Sequence, residues 1–158
     1  MDNIIIKPLG SFDEAKICAK MMADSEPWIR LERGYESSFD IIVEPSREVF
    51  LAWIGEEIVG FVIIEMNGTF KGYIKSICIS PSQRRKGIGS KLMHYAEERI
   101  FSETPNVFLL VSSFNSSART LYQRLGYEEI GEFKDFIVRG HSEILMRKTK
   151  GPLSEYPE

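Results

Sequence analysis

Residues 80–92 read SPSQRRKGIGSKL: three consecutive cations, Arg84, Arg85 and Lys86, run straight into a glycine pair, Gly87 and Gly89. The apolar, β-branched stretch YIKSICI precedes them and a run of good helix formers follows, so the segment joins a strand to a helix. At such a junction the first N–H groups of the helix lack intrahelical partners, and the helix dipole favours negative charge. Glycines let the loop wrap closely round a ligand, and the adjacent cations raise the local potential. These are the parts of a phosphate cradle; on the junction alone, the alternative is a solvated basic turn. A P-loop needs G-x-x-x-x-G-K-[ST], which is absent. The dinucleotide fingerprint G-x-G-x-x-G needs glycine where Leu92 stands.

Charge is distributed unevenly around this segment. Residues 1–70 carry net −7, residues 71–100 net +5 and residues 101–158 net −1, in a chain of net charge −3. One stretch therefore seeks anions inside an acidic protein. A nucleic-acid binder would spread positive charge over a face and be basic overall, so this pattern suits a compact polyanion and argues against nucleic acid.

The chain that must hold the cradle has 158 residues, 43% hydrophobic and 27% charged, as expected of one globular domain that needs neither disulfides nor a metal. No apolar run approaches the roughly 20 residues that span a bilayer, and MDNIIIKPLG lacks the basic flank of a signal peptide. No membrane association is expected. Cys18 and Cys78 have no CxxC spacing and read as buried, inert thiols, which fits a reduced cytoplasm. His94 and His141 have no ligand cluster around them, so no metal site is expected.

Ile4–Lys7 reads as a strand. SFDEAKICAKMMAD opens on a capping box, Ser11 and Glu14, with Ala15, Ala19 and Met22 at helical spacing. EPWIRLERGYESSFDII reads as a second helical segment interrupted at Gly34. EVFLAWI and EIVGFVIIEM are strands joined by a tight hairpin at GEE, and Asn67-Gly68 turns into a strand over 70–80. Ile88, Leu92, Ala96 and Ile100 then recur every four residues, a helix with one apolar stripe. NVFLLV is an almost wholly apolar strand, NSSARTLYQRLG a helix between Asn115 as N-cap and Gly126 as left-handed stop. Strands over 127–138 and 143–148 turn at Gly140. The order β-α-α-β-β-β-α-β-α-β-β implies an α+β fold with one central sheet. Residues 1–150 form the domain and residues 151–158 a flexible tail.

Arg84-Arg85-Lys86-Gly87-Ile88-Gly89 fits [QR]-x-x-G-x-[GA]. FNSSARTLYQRLGYEEIG fits N-x-x-A-x-x-[LF]-Y-x-x-x-G-[FY] through Asn115, Ala118, Leu121, Tyr122, Gly126 and Tyr127. In these two motifs, separated by one helix and one strand, the chain resembles the GNAT superfamily of acyl-CoA-dependent N-acyltransferases over roughly residues 3–148. The resemblance implies a mixed, mostly antiparallel sheet of about seven strands with helices on both faces.

It implies acetyl-CoA as acyl-donor co-substrate. The pyrophosphate would lie on the amides of Arg85, Lys86, Gly87, Ile88, Gly89 and Ser90, with Arg84 and Arg85 within reach. The pantetheine arm would bond the main chain around Ile77, Cys78 and Ile79, and Asn115 would contact it too. On the residues alone Asn115 is an N-cap worth about 1 kcal/mol and Tyr122 a packed aromatic. The resemblance makes Tyr122 the general acid that protonates the departing thiolate, a task a phenol can perform at neutral pH. It assigns no base: the positions at which family members carry a carboxylate are Tyr73 and Leu110 here, with Glu65 as a substitute and water-mediated deprotonation as the alternative.

The acceptor would be a small-molecule or peptide primary amine, with the small molecule favoured. It would meet aromatic walls from Trp28, Tyr35, Phe133 and Phe136, and Glu26, Glu32 or Glu36 would attract its ammonium. The competing readings are a protein N-terminal or lysine acetyltransferase, a non-catalytic acyl-CoA-binding module of the same fold, and a nucleotide-binding protein using the basic glycine loop. A homodimer is left open.

Overall fold

The computed structural model describes residues 3–156. Its elements follow the expected order: β1 (Ile4–Pro8), α1 (Phe12–Ala23), α2 (Tyr35–Val43), β2 (Arg47–Ile54), β3 (Glu57–Glu65), β4 (Tyr73–Ile79), α3 (Ile88–Phe101), β5 (Asn106–Ser112), α4 (Ser116–Arg124), β6 (Glu128–Lys134) and β7 (Ser142–Thr149). The strands make one seven-stranded sheet in the order β1-β2-β3-β4-β5-β7-β6. Every pairing is antiparallel except β4 with β5.

Helices cover both faces. On one side Ala15, Cys18, Ala19 and Met22 of α1 and Ile42 of α2 pack on Leu51, Phe61, Ile63 and Cys78. On the other, the α3 stripe of Ile88, Leu92, Ala96 and Ile100 is fully buried on Val62, Ile64, Val107 and Leu109. Burying each of the larger aliphatic side chains contributes about 1.5–3 kcal/mol, so the stripe fixes how α3 lies on the sheet. Both cysteine thiols are buried, and burial pushes each up to about 12, as inert thiols should be. The Ser11 hydroxyl accepts from the Glu14 amide at 3.2 Å, while the Glu14 carboxylate reaches back to the Gly10 amide at 2.8 Å, one residue beyond the expected reciprocal partner.

Three boundaries differ from the pattern in the sequence. Residues 26–32 form a continuous run of turns rather than a helix, and the run ends where Glu32 takes a left-handed conformation (φ 59°), after which Gly34 caps α2. β4 begins at Tyr73; residues 67–72 are a longer link closed by a bond from the Gly72 amide to the Glu65 carbonyl at 3.2 Å. β6 stops at Lys134, since Asp135 is left-handed (φ 53°) and its carboxylate accepts from the Gly140 amide at 2.7 Å. That loop carries Phe136 out of the sheet. Past β7, residues Leu153–Glu155 make a 3-10 turn.

Candidate active site

β4 and β5 pair at only two positions, Tyr73 with Phe108 and Ile74 with Leu109, and then diverge. The cause lies in β4. Ile64 pairs with Ile74 but Ile63 pairs with Ser76, so Lys75 is an extra residue on the β4 side. Such a bulge bends a strand and increases its twist. It also shifts the side-chain phase: Ile74, Ile77 and Ile79 all pack towards α3, whereas Cys78 faces α1. The Ser80 amide bonds the Val59 carbonyl of β3 at 2.9 Å. Strand alternation then turns the main-chain groups of Cys78 to β3 and those of Ile77 and Ile79 to the open edge. Ile77 and Ile79 thus present main-chain groups that no neighbouring strand pairs, the Ile79 carbonyl accepting only from Arg84. Cys78, with its thiol under α1 and its main chain used by β3, does not.

At the wide end, β4 leads through a 3-10 turn at Pro81–Gln83 to the basic glycine segment. Arg85 (φ 65°) and Gly87 (φ 82°) are left-handed, and Gly87 caps α3 without a side-chain hydrogen bond. The amides of Ile88, Gly89 and Ser90 are therefore free of capping side chains at the positive end of a 14-residue helix. Left-handed residues in such a loop turn successive amides to one side, which is how backbone nests hold anions. Ile88 supplies only its amide, its side chain being in the apolar stripe. Arg84 donates through Nε to the Ile79 carbonyl at 3.3 Å, so here it serves the open edge of β4, while Lys86 reaches Gln83 at 3.4 Å.

Gly89 gives the cleanest test of the cradle. Its backbone is helical, and a Cβ there would lie 3.9 Å from Ile79 and Leu121, ordinary contact between β4 and α4. Gly89→Val should therefore fold, while its γ-methyls occupy the space beside the open edge. Calorimetry should show CoA binding lost or strongly weakened; unchanged affinity in the folded variant would remove the cradle. Gly87→Val would not separate the two effects, because φ 82° strains any side chain.

The α4 wall carries the second motif. Asn115 caps the helix, its Oδ1 accepting from the Ala118 amide at 3.4 Å, and it also lines the cleft. Two turns on, Tyr122 is 7% exposed, and its hydroxyl makes no hydrogen bond among the described residues. Its ring meets Tyr127 edge-on at 6.0 Å. Tyr127 is held in turn: its hydroxyl donates to Glu97 at 2.8 Å, and Lys148 donates to the other Glu97 oxygen at 3.0 Å. Burial pushes the Tyr122 phenol up, so it keeps its proton at neutral pH.

On the α1 side, the cleft gathers a group that sequence patterning did not reveal. Glu143 of β7 is 3% exposed and accepts from the Ser112 hydroxyl of β5 at 2.8 Å. Burial raises its carboxyl, against the pull of the Ser112 bond and of the Arg33 and His141 charges. Tyr73 lines the same cleft, its phenol pushed up to about 12 by burial and by the Glu65 and Glu143 charges. Arg33 and Lys75 line the same space. The only hint in the sequence is an acid inside an apolar strand, and its pairing with Ser112 depends on a register that no local pattern encodes.

Other expected residues fall elsewhere. Glu65 is tied to Arg47 at 2.9 Å, and Leu110, not a carboxylate, faces the cleft from β5. Glu26 pairs with Arg30, Glu32 and Glu36 are exposed, and none of the three lines the cleft. Trp28 and Phe136 do line it; Phe133 stacks on Phe136 at 5.2 Å, and Tyr35 stacks instead on Phe39 at 6.3 Å. Among the described residues no three His, Cys, Asp or Glu side chains gather as a metal group, and no helix is long and apolar enough to cross a membrane.

The family model for acetyltransferases of the GNAT family matches residues 16–127, and both glycine and tyrosine motifs fall inside or at the edge of that span. The chain belongs to the GNAT acetyltransferases. An N-alpha-acetyltransferase of Sulfurisphaera tokodaii is 30% identical over 111 residues, covering 61% of this chain and 66% of that protein. An uncharacterised N-acetyltransferase of Chlorobaculum tepidum is 30% identical over 117 residues, covering 69% and 72%. Matches to longer plant and vertebrate relatives span only 27% and 30% of their lengths. Among solved structures, an aminoglycoside 6'-N-acetyltransferase complexed with coenzyme A superposes with a TM-score of 0.76 at 18% identity, covering 98% of this chain and 99% of that one. The ribosomal-protein-S18-alanine N-acetyltransferase of Escherichia coli gives 0.74 at 18%, covering 99% of each. The fold expected from the two motifs, down to strand number and helices on both faces, is therefore that of this GNAT protein.

Proposed function

We propose that this GNAT protein transfers the acetyl group of acetyl-CoA to a primary amine of a small molecule, by direct attack with both substrates bound. The observation that carries the reading is the divergence of β4 and β5. It opens the sheet between Tyr122 on the α4 side and Glu143 on the α1 side, so that one substrate can approach from each face. The donor supplies the acetyl group as an activated thioester. The unpaired amides of Ile88, Gly89 and Ser90 and the open edge at Ile77 and Ile79 are suited to its pyrophosphate and its amide-bearing arm.

Glu143, ionised, takes a proton from the acceptor ammonium, directly or through one water. The neutral nitrogen bonds the acetyl carbon as the carbon–sulfur bond breaks, and the electron pair left on sulfur takes the Tyr122 proton. The extra proton on the new amide nitrogen returns to the tyrosinate, and Glu143 passes its own proton to solvent, leaving a neutral amide and a free thiol. Ser112 holds the Glu143 carboxylate by one oxygen, leaving the other for the proton. Tyr127, locked by Glu97 and Lys148, seats the Tyr122 ring.

A second reading, a peptide α-amine as acceptor, is favoured by the likeness to the Sulfurisphaera tokodaii protein named as an N-alpha-acetyltransferase. Turnover of acetyl-CoA against a panel of amines and short peptides, read as free thiol, tests both. Thiol release with amines supports the proposal. CoA binding without thiol release from any acceptor would leave a non-catalytic module, and stabilisation by ATP or NAD but not by CoA would sink the acyl-donor reading itself.

A further inference from the structure

The acceptor side of the cleft carries more positive than negative charge. Arg33, which follows the turns after α1, and Lys75, the bulged residue of β4, both line it, and among the described residues neither side chain makes a hydrogen bond or ion pair. Arg33, Lys75, Tyr73 and Glu143 line the same cleft, and the Arg33 charge acts on the other three. Burial and the Arg33 charge depress the Lys75 ammonium, with Arg47 adding to the effect. The acids only partly offset these cations: Glu65 is shared with Arg47 at 2.9 Å, and Glu143 is the one carboxylate that lines the cleft against Arg33 and Lys75. Two half-buried cations facing one carboxylate leave an excess positive charge, which is costly unless a further anion joins them. A polyamine or a polycationic sugar would meet repulsion there.

We propose that the acceptor is an aminocarboxylate, a free amino acid or close analogue, whose carboxylate is held by Arg33 and Lys75 while its amine faces Glu143. The proposal rests on the acetyl-transfer reading above. A planar guanidinium suits a carboxylate because it can donate two parallel bonds, and an ammonium adds charge without fixed geometry. The bulge that opens the sheet also delivers Lys75 to this point, so one local irregularity would set both the donor's entry and the acceptor's class.

The test uses the full chain with saturating acetyl-CoA and sets amino acids against their own amides and decarboxylated amines, spermidine, and an acidic tetrapeptide with a free N-terminus. Wild type should favour the aminocarboxylates in kcat/KM. Arg33→Gln and Lys75→Gln should each raise KM for them by about 10- to 100-fold, the size of a lost hydrogen bond to a charged group, with kcat little changed. The same variants should raise KM far less for the decarboxylated amines than for the aminocarboxylates, and Arg33→Glu should turn preference towards diamines, which a merely structural role would not do. Equal or better turnover of the decarboxylated amines or spermidine by wild type would overturn the proposal, and preference for the tetrapeptide would move the carboxylate site to a peptide. Thermal stabilisation read in the presence of CoA separates this idea from the chemistry. If no acceptor releases thiol, the transfer reading fails, yet an amino acid that stabilises wild type but not Arg33→Gln still supports the site, and one that stabilises neither removes it.

Discussion

Replacing Glu143 with glutamine is expected to lower turnover by about 10²- to 10⁴-fold, the usual contribution of acid–base catalysis, with CoA affinity almost unchanged. Glutamine keeps the shape and an acceptor oxygen for Ser112, but it cannot take a proton. The pH profile makes the test specific. Burial raises the Glu143 carboxyl above the ordinary glutamate range, so wild-type activity should rise with pH as that carboxyl ionises, and the variant should lose this limb. Stability moves the other way. The folded chain holds the proton more tightly than the unfolded chain, so ionising Glu143 costs stability as pH rises from the ordinary value through the raised one. Glu143→Gln lacks that cost and should melt at the same temperature as wild type or higher near neutral pH. Full activity across the pH range would show that the proton leaves by another route.

Tyr122→Phe should cost a similar factor by a different path. The substitution keeps the ring against Tyr127, whose position depends on Glu97 and Lys148 and not on the lost hydroxyl. Since that hydroxyl bonds to nothing among the described residues, stability should barely change. Turnover should fall by about 10²- to 10⁴-fold. The raised phenol places the expectation towards the lower end, because a weaker acid gives more of its help as a hydrogen bond to the departing sulfur than as a transferred proton. A donor with a more acidic leaving thiol should recover much of the loss. Unimpaired turnover would return Tyr122 to a packing role.

Much of this molecule is legible in the chain order because its elements are encoded locally. The α3 stripe needs only its four-residue repeat, the start and stop of α4 only Asn115 and Gly126 (φ 98°), and the hairpin of β2 and β3 only its turn at Gly55 and Glu56. The donor side of the site shares that property, since a loop and the first turns of two helices build it. The acceptor side does not. Glu143 and Ser112 meet across a strand pair that β6 and its loop interrupt in sequence, Arg33 arrives from an irregular turn, and Lys75 is aimed by a bulge with no residue signature. Aromatic and acidic residues in the same stretches could be picked out by type, yet Tyr35, Glu26, Glu32 and Glu36 turn to Phe39, Arg30 or solvent.

If the proposed donor lies in the gap between β4 and β5, the protein's survival is tied to its supply of substrate. An exposed strand edge is a template on which another chain can pair, and Ile77 and Ile79 belong to such an edge inside the sheet. A donor arm lying along it would act as an eighth, non-protein strand. Any molecule bound by the folded chain alone adds stability by mass action, about 2.7 kcal/mol at a hundredfold excess over its Kd. A sheet completed by a metabolite thus persists longest where that metabolite is plentiful, and in its scarcity the chain is left more exposed to unfolding, proteolysis and self-association.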